Sequence, residues 1–591
     1  MRIIYLIIVL FSSYSAIGQD GSVMAGDSSD RWWQRWVNPD FSCTGNYGVN
    51  FRSYAAFNTP ARQTPLNSTL FLNTTFNINQ VYIPVNLLIN NLDDINHPFH
   101  RGYWDGFLSN QRQRLSRLGF SPHYKWARAH IGHRYMHLSD FTLSNHNFLG
   151  GGIELNPGKF RFAAMAGRLA KAEPIDLALD RPNLPVYQRV GWATKIGYGS
   201  PQEYIDLIIF GAKDDPNSLV ITGDDNLVLP SENLVFALRG EKELIKGLRT
   251  NFEIARSAHT RNRTDELLLG SRTLLFNNSL FRERVSTAQG NAANAQIRYS
   301  LKKVQIGVQY QRIDPNFKTF GAYFFNDDLE NYTIQLSGYG IGGFGFNGSF
   351  GVQRNNLDGS RVATYRRIIG SFNASYQIKT WVMGVNYSNF QSEINYFLNP
   401  EADSLRVIIV TADASINISK SIIQKGGTVH SLRFMGGRQG VNQNIATPTG
   451  DPATDMYYAN LGYNLRLSSH WTGSMVLDYN RNSLSGTPQS RYGVGGRIGK
   501  LFWNRKLDLS LGSQLYIGTS NDNQRNTRQL NHTFRGVYRI HPLHQIQLQM
   551  NWIDTQNNRI ASDSGFSELI GTIGYTGRFA YQPSKKNVPK G

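Results

Sequence analysis

An all-β chain, folded as a transmembrane antiparallel β-barrel of about 26 strands (range roughly 22–26), is the class this sequence predicts. Three observations predict it. Apolar and polar residues alternate with a period of two along segments of roughly 10 to 15 residues, longer than the five or six usual in soluble sheets. The connections between these segments alternate between tight and long, as an outer-membrane barrel with short periplasmic turns and longer outer loops requires. After the N-terminal leader no run approaches the roughly 18 apolar residues that a spanning helix needs.

Taken in order, the chain opens with "MRIIYLIIVLFSSYSAIGQD". One arginine, an apolar run from Ile3 to Phe11 and small residues before Gln19 form the pattern of a secretory signal peptide, expected over residues 1–18. Residues 19–44 are expected to be an N-terminal periplasmic segment, 45–582 the barrel, and 583–591 a tail. The single cysteine, Cys43, excludes an internal disulfide framework and does not directly follow the expected cleavage site, so no lipid anchor is indicated. The early strands include "QVYIPVNLLI", where Pro84 removes a ladder donor.

The next segment is the most basic. From His97 to Ser139 there are six arginines, one lysine and six histidines against a single acid, Asp105. Its first part, "NNLDDINHPFHRGYWDGFLSNQRQRL", has the composition of a loop folded inward to narrow a pore, where arginine favours anions. His97, His100, Arg101, Trp104, Arg112 and Arg114 are the constriction candidates. The alternative is an exposed loop meeting lipopolysaccharide phosphates. Another long connection, "NRTDELLLGSRTLLFNNSLFRERVSTAQG", is a second candidate for a folded loop or plug.

"HIGHRYMH" (His130–His137) spaces three histidines as HxxHxxxH. On a helix these would share a face and suggest a metal, but a strand divides them. Ala127, Ala129 and Ile131 suit lipid, so Arg128, His130 and Arg134 are expected to line the pore, while His133 and His137 share the opposite face. No metal site, cofactor or catalytic centre is expected, since no nucleophile motif accompanies the histidines and serines here.

The run "GGGIELNPGKFRFAAMAGRL" (Gly150–Leu169), with the preceding "SPHYKWARAHIGHRYM", resembles an outer-membrane β-barrel protein family of Bacteroidota. The resemblance implies location and a porin-like fold, and brings no activity or site residues. Downstream, "MYYANLGYNLRL" sets Tyr457, Ala459, Leu461 and Tyr463 against Tyr458, Asn460, Gly462 and Asn464, and "HQIQLQMNWID" alternates as strictly. The last strand, "ELIGTIGYTGRFAYQ", resembles the terminal aromatic signal of such barrels, with "PSKKNVPKG" following it.

Formal net charge is +19 and the pI about 9.7. In an exported chain without a nucleic-acid motif, this points to anionic or polar solutes, outer-membrane lipids and lipopolysaccharide, or other envelope proteins, and not to nucleic acid. The functional expectation is a porin-like channel or transporter with a basic lumen. The alternative is a barrel plugged by its loops or a partner, serving as a scaffold in a secretion, envelope-assembly or surface-polysaccharide complex.

Overall fold

The computed structural model describes residues 41–581, apart from 91–116, 176–184, 220–227, 269–279, 324, 397–404, 425, 445–452, 468–469, 485–486, 521–525 and 559–564. One antiparallel sheet takes up the chain and closes on itself. The closure is a pairing between the first strand, Phe41–Phe57, and the last, Phe566–Tyr581, in unbroken register from Cys43 opposite Tyr581 to Phe57 opposite Ser567. Closure satisfies backbone groups that lipid could not and leaves no edge.

Twenty-seven strand segments occupy 26 positions. Arg117–Phe120 and His123–Tyr124 are one strand, since both pair with Val81–Asn90 and with Ala127–His137 in continuous register. The gap falls at Ser121 and Pro122, because proline has no N–H to give the ladder. Pro84 is accommodated within Val81–Asn90: it sits opposite Thr75, and its carbonyl accepts from the Ser121 amide at 3.1 Å.

The strand bounds leave twelve connections of two to five residues at the end where the first strand begins and the last one stops. Connections at the opposite end reach 26 residues. Several tight turns use positive φ at both central residues, as at Asn79–Gln80 (53° and 72°) and Gly342–Gly343 (61° and 85°). That backbone matches the right-handed twist of the flanking strands. The first strand spans Phe41–Phe57, and the Phe41 ring packs 6.3 Å from Phe76 and 6.0 Å from Tyr581.

Side chains on the outer face are apolar and exposed along strand after strand, among them Ile205, Leu207, Ile254, Val308, Ile334, Phe350, Leu477 and Ile573. A band of this kind around a closed barrel needs a bilayer as its solvent, and the protein is integral to the bacterial outer membrane.

Candidate lumen and its in-folded loops

The inward face differs between two arcs. Along the nine strands from Ala127–His137 to Val304–Ile313, many inward positions are apolar and buried. Met136, Phe148, Met165, Ile208, Phe210, Val235 and Ile313 form one core with residues of two connections, 138–143 and 314–328. Phe141 and Phe317 from those connections are 1% exposed and meet edge to face at 5.8 Å. Strands far apart around the sheet share this core, so the arc curls around the two in-folded loops.

Polar side chains fix the loops by their backbones. Arg239 donates to the Leu138 carbonyl at 2.6 Å and to the Tyr204 hydroxyl at 2.5 Å. Glu253 accepts from the Phe141 amide at 3.0 Å. Asn233 holds the second loop from both sides: Nδ2 donates to the Lys318 carbonyl at 2.8 Å, and Oδ1 accepts from the Phe320 amide at 3.1 Å. Thr319 Oγ1 donates to the Thr142 carbonyl at 2.8 Å, tying the loops together. A Cβ on Gly290 would lie 2.6 Å from the Phe317 nitrogen, so only glycine allows this approach.

Two inward arginines on this arc are paired with aspartates. Arg161 meets Asp206 through two bonds of 2.8 and 3.0 Å, and Arg189 meets Asp214 through bonds of the same lengths. The Arg189 guanidinium also lies 3.6 Å from the Phe320 ring centroid. Burial among these cations holds the Lys318 ammonium below the usual lysine range, Arg189 adding to the effect and Asp327 opposing it.

The other arc, from Phe344–Arg354 to His544–Asn558, presents a different inward surface. Its inward rows include Asn347 and Ser349, Ser371 and Asn373, Asn460 and Asn464, and Gln545, Gln547 and Gln549. Arg433, Arg466, Arg491, Arg497 and Arg535 also point inward and are exposed, and they outnumber Asp413, Asp478 and Asp508 on that face. Among the described residues the apolar core stops at Leu329.

Of the sequence-derived candidates, Arg128, His130 and Arg134 share the inward face of Ala127–His137 with Met136. His130 is buried, its Nε2 2.6 Å from Glu154 Oε1 and its Nδ1 2.9 Å from Ser121 Oγ. Arg134 donates to Asn86 Oδ1 at 2.8 Å and to the Pro84 carbonyl at 3.2 Å, while Arg128 is exposed. His133 and His137 lie on the opposite face, and among the described residues no cluster of three metal-ligating side chains occurs. His97, His100, Arg101, Trp104, Arg112 and Arg114 lie outside the described residues.

The connection 261–286 does not act as a plug through its described residues. Phe281 packs with Leu234 and Ala258, which are paired on the outward face, so this part of the connection covers the outside of the wall. Sequence reasoning missed the loop anchors Asn233, Arg239 and Glu253. The signal was present in "YIDLIIFGA" and "LVFAL", where apolar residues fall on both faces and alternation breaks down, as in strands buried on both sides.

No family model and no curated protein matches the chain. Among solved structures it is similar to the translocation pore of the P pilus usher PapC, at 9% identity over 92% of this chain and 100% of that one, with a TM-score of 0.27. It is also similar to OccAB4 of Acinetobacter baumannii, at 12% identity over 66% of this chain and 98% of that one, with a TM-score of 0.29. The outer-membrane protein OpdK of Pseudomonas aeruginosa matches at 11% identity over 64% and 98%, with a TM-score of 0.26. Likenesses this low carry no argument, and the barrel assignment rests on the chain's own strand pairing and surface.

Proposed function

We propose that the protein is a porin-like diffusion channel whose aqueous passage follows the polar arc, with a basic lumen that favours anionic or polar solutes. The observation that carries this reading is the set of exposed inward arginines, Arg433, Arg466, Arg491, Arg497 and Arg535, on a wall otherwise rich in Asn, Gln, Ser and Gly. Fixed positive charge along a polar wall concentrates anions and leaves them free to move on. Arg128 adds to this field, whereas Arg134 and His130 are engaged with wall partners. His97, His100, Arg101, Trp104, Arg112 and Arg114 are proposed to narrow the mouth, and the kinship suggested by Gly150–Leu169 with Bacteroidota barrels belongs to this same reading.

Planar-bilayer recording of the purified full chain tests the proposal. Stable conductance with anion preference supports it; a silent protein that co-purifies with envelope proteins overturns it. The in-folded loops 138–143 and 314–328 favour one second reading, a barrel closed by its own loops that serves as a scaffold for secretion, envelope assembly or surface polysaccharide.

A further inference from the structure

Between Val304 and Asn558 the two rims of the outer face use different cations. From Val304 to Asn558, the described outward-facing cations near the long-loop ends of the strands are all arginine: Arg312, Arg354, Arg366, Arg438, Arg481 and Arg528. At the short-turn ends the outward cations on the strands are Lys420 and Lys500. Each of these lysines lies over a tryptophan, Lys420 at 4.6 Å from the Trp381 ring centroid and Lys500 at 4.4 Å from Trp471. Position alone does not explain the partition, since a long stem with a charged tip would snorkel equally well from either rim.

The long-loop rim is also organised. Register places Arg312, Glu330, Arg354, Arg366 and Glu393 side by side across five strands. The next outward row toward the membrane centre holds Tyr310 and Tyr332, and beyond it lie Val308, Ile334 and Phe350. Charge, then aromatic rings, then an apolar band is the order of headgroup, interface and acyl chain in a bilayer leaflet. Glu330 is nearly buried and saturated, with Tyr310 donating at 3.0 Å, Tyr332 at 3.3 Å and Arg354 at 2.6 Å. The side chains of Arg312 and Arg354 nevertheless remain 42% and 61% exposed. A second group lies further round, where Arg438 and Arg481 flank the exposed Tyr457 in one row.

Arginine differs from lysine in presenting a planar fork that bonds a phosphate through two parallel N–H groups, and in being less strongly hydrated. From this partition we infer that the arginine rim binds the phosphate groups of the outer-leaflet glycolipid, docking that lipid against the wall from Val304 to Asn558. The glutamate hydrogen-bonded within the row holds the Arg354 guanidinium in place, so less side-chain entropy is lost on binding. The lysine rim, set over tryptophans, faces the phospholipid leaflet and makes no such forked contact. This inference is independent of what the lumen conducts.

The test uses the full chain reconstituted in phosphatidylcholine vesicles containing diphosphorylated lipid A or its dephosphorylated form, then re-extracted and assayed for retained lipid. The wild type should retain the phosphorylated form. The triple variant Arg312→Lys, Arg354→Lys, Arg366→Lys keeps every charge and should retain several-fold less. The double variant Lys420→Gln, Lys500→Gln should match the wild type. Heat-modifiable migration on gels shows that each variant has closed its barrel. Equal retention by the wild type and the arginine variant, retention that ignores the phosphates, or a loss confined to the lysine variant would each overturn the inference.

Discussion

The two arcs of this barrel show how one sheet supports two kinds of interior. Between Ala127 and Ile313 the wall folds around a dry core, with Phe148, Ile208, Phe210 and Val235 fully buried and Arg161 and Arg189 paired with Asp206 and Asp214. Between Phe344 and Asn558 the same backbone geometry faces inward with Asn, Gln, Ser and exposed arginine. The hydrogen-bond ladder does not distinguish them. What differs is whether an apolar loop is available to cover the inward face, and only the arc that has such loops packs that face into a core.

The contrast can be broken by single substitutions, and the largest effect belongs to the dry arc. Phe210→Ala should lower unfolding stability by about 3–5 kcal/mol, because it deletes a packed ring and leaves a cavity. Asn373→Ala at an inward position of the polar arc should change it by no more than roughly 0.5 kcal/mol. Denaturant titration in detergent, read by heat-modifiable migration, checks the pair, and equal losses would mean that the arcs are not distinct.

Next comes the loop anchor. Asn233→Leu removes the bonds to the Lys318 carbonyl and the Phe320 amide, and the amide left buried without a partner costs about 1–3 kcal/mol. The 314–328 loop should then open, with trypsin cleaving after Lys318 in the variant and sparing the wild type. Wild-type and variant proteins cut at the same rate would show that Asn233 does not hold the loop.

A smaller effect is expected on selectivity. Arg497→Glu with Arg535→Glu reverses two exposed charges on the polar arc and should reduce the anion-to-cation permeability ratio several-fold, measured as a reversal-potential shift in a salt gradient. Unchanged selectivity would remove these residues from the conducting surface. Of the earlier candidates, Arg134→Glu should lower stability by roughly 1–3 kcal/mol, on the scale of the Asn233 anchor, through the lost bonds to Asn86 and Pro84, and the smallest effect belongs to Arg128→Glu, which should shift selectivity slightly.

Much of the fold was legible in advance. The 26 strand positions and the tight turns at Asn156–Gly158, Lys302–Lys303 and Lys379–Thr380 follow from a side-chain period of two interrupted by turn residues. Alternation also separated His130 from His133 and removed the metal reading of HxxHxxxH. The loop anchors were not legible, because Asn233 and Glu253 resemble ordinary inward polar residues. Their partners are backbone groups in loops, Phe141 lying 112 residues from Glu253 and Phe320 lying 87 from Asn233.

By itself the sequence determined that this chain closes a barrel in the outer membrane and which residues share a face of each strand. Those properties are local: they depend on alternation, strand length and turn chemistry, each contained within a few dozen residues. Tertiary structure alone decided which residues cover the inward face of the dry arc. Broken alternation marks the wall segments that are covered, but the covering rings, Phe141 and Phe317, come from loops far away in the chain and join Phe210 and Ile208 in one core.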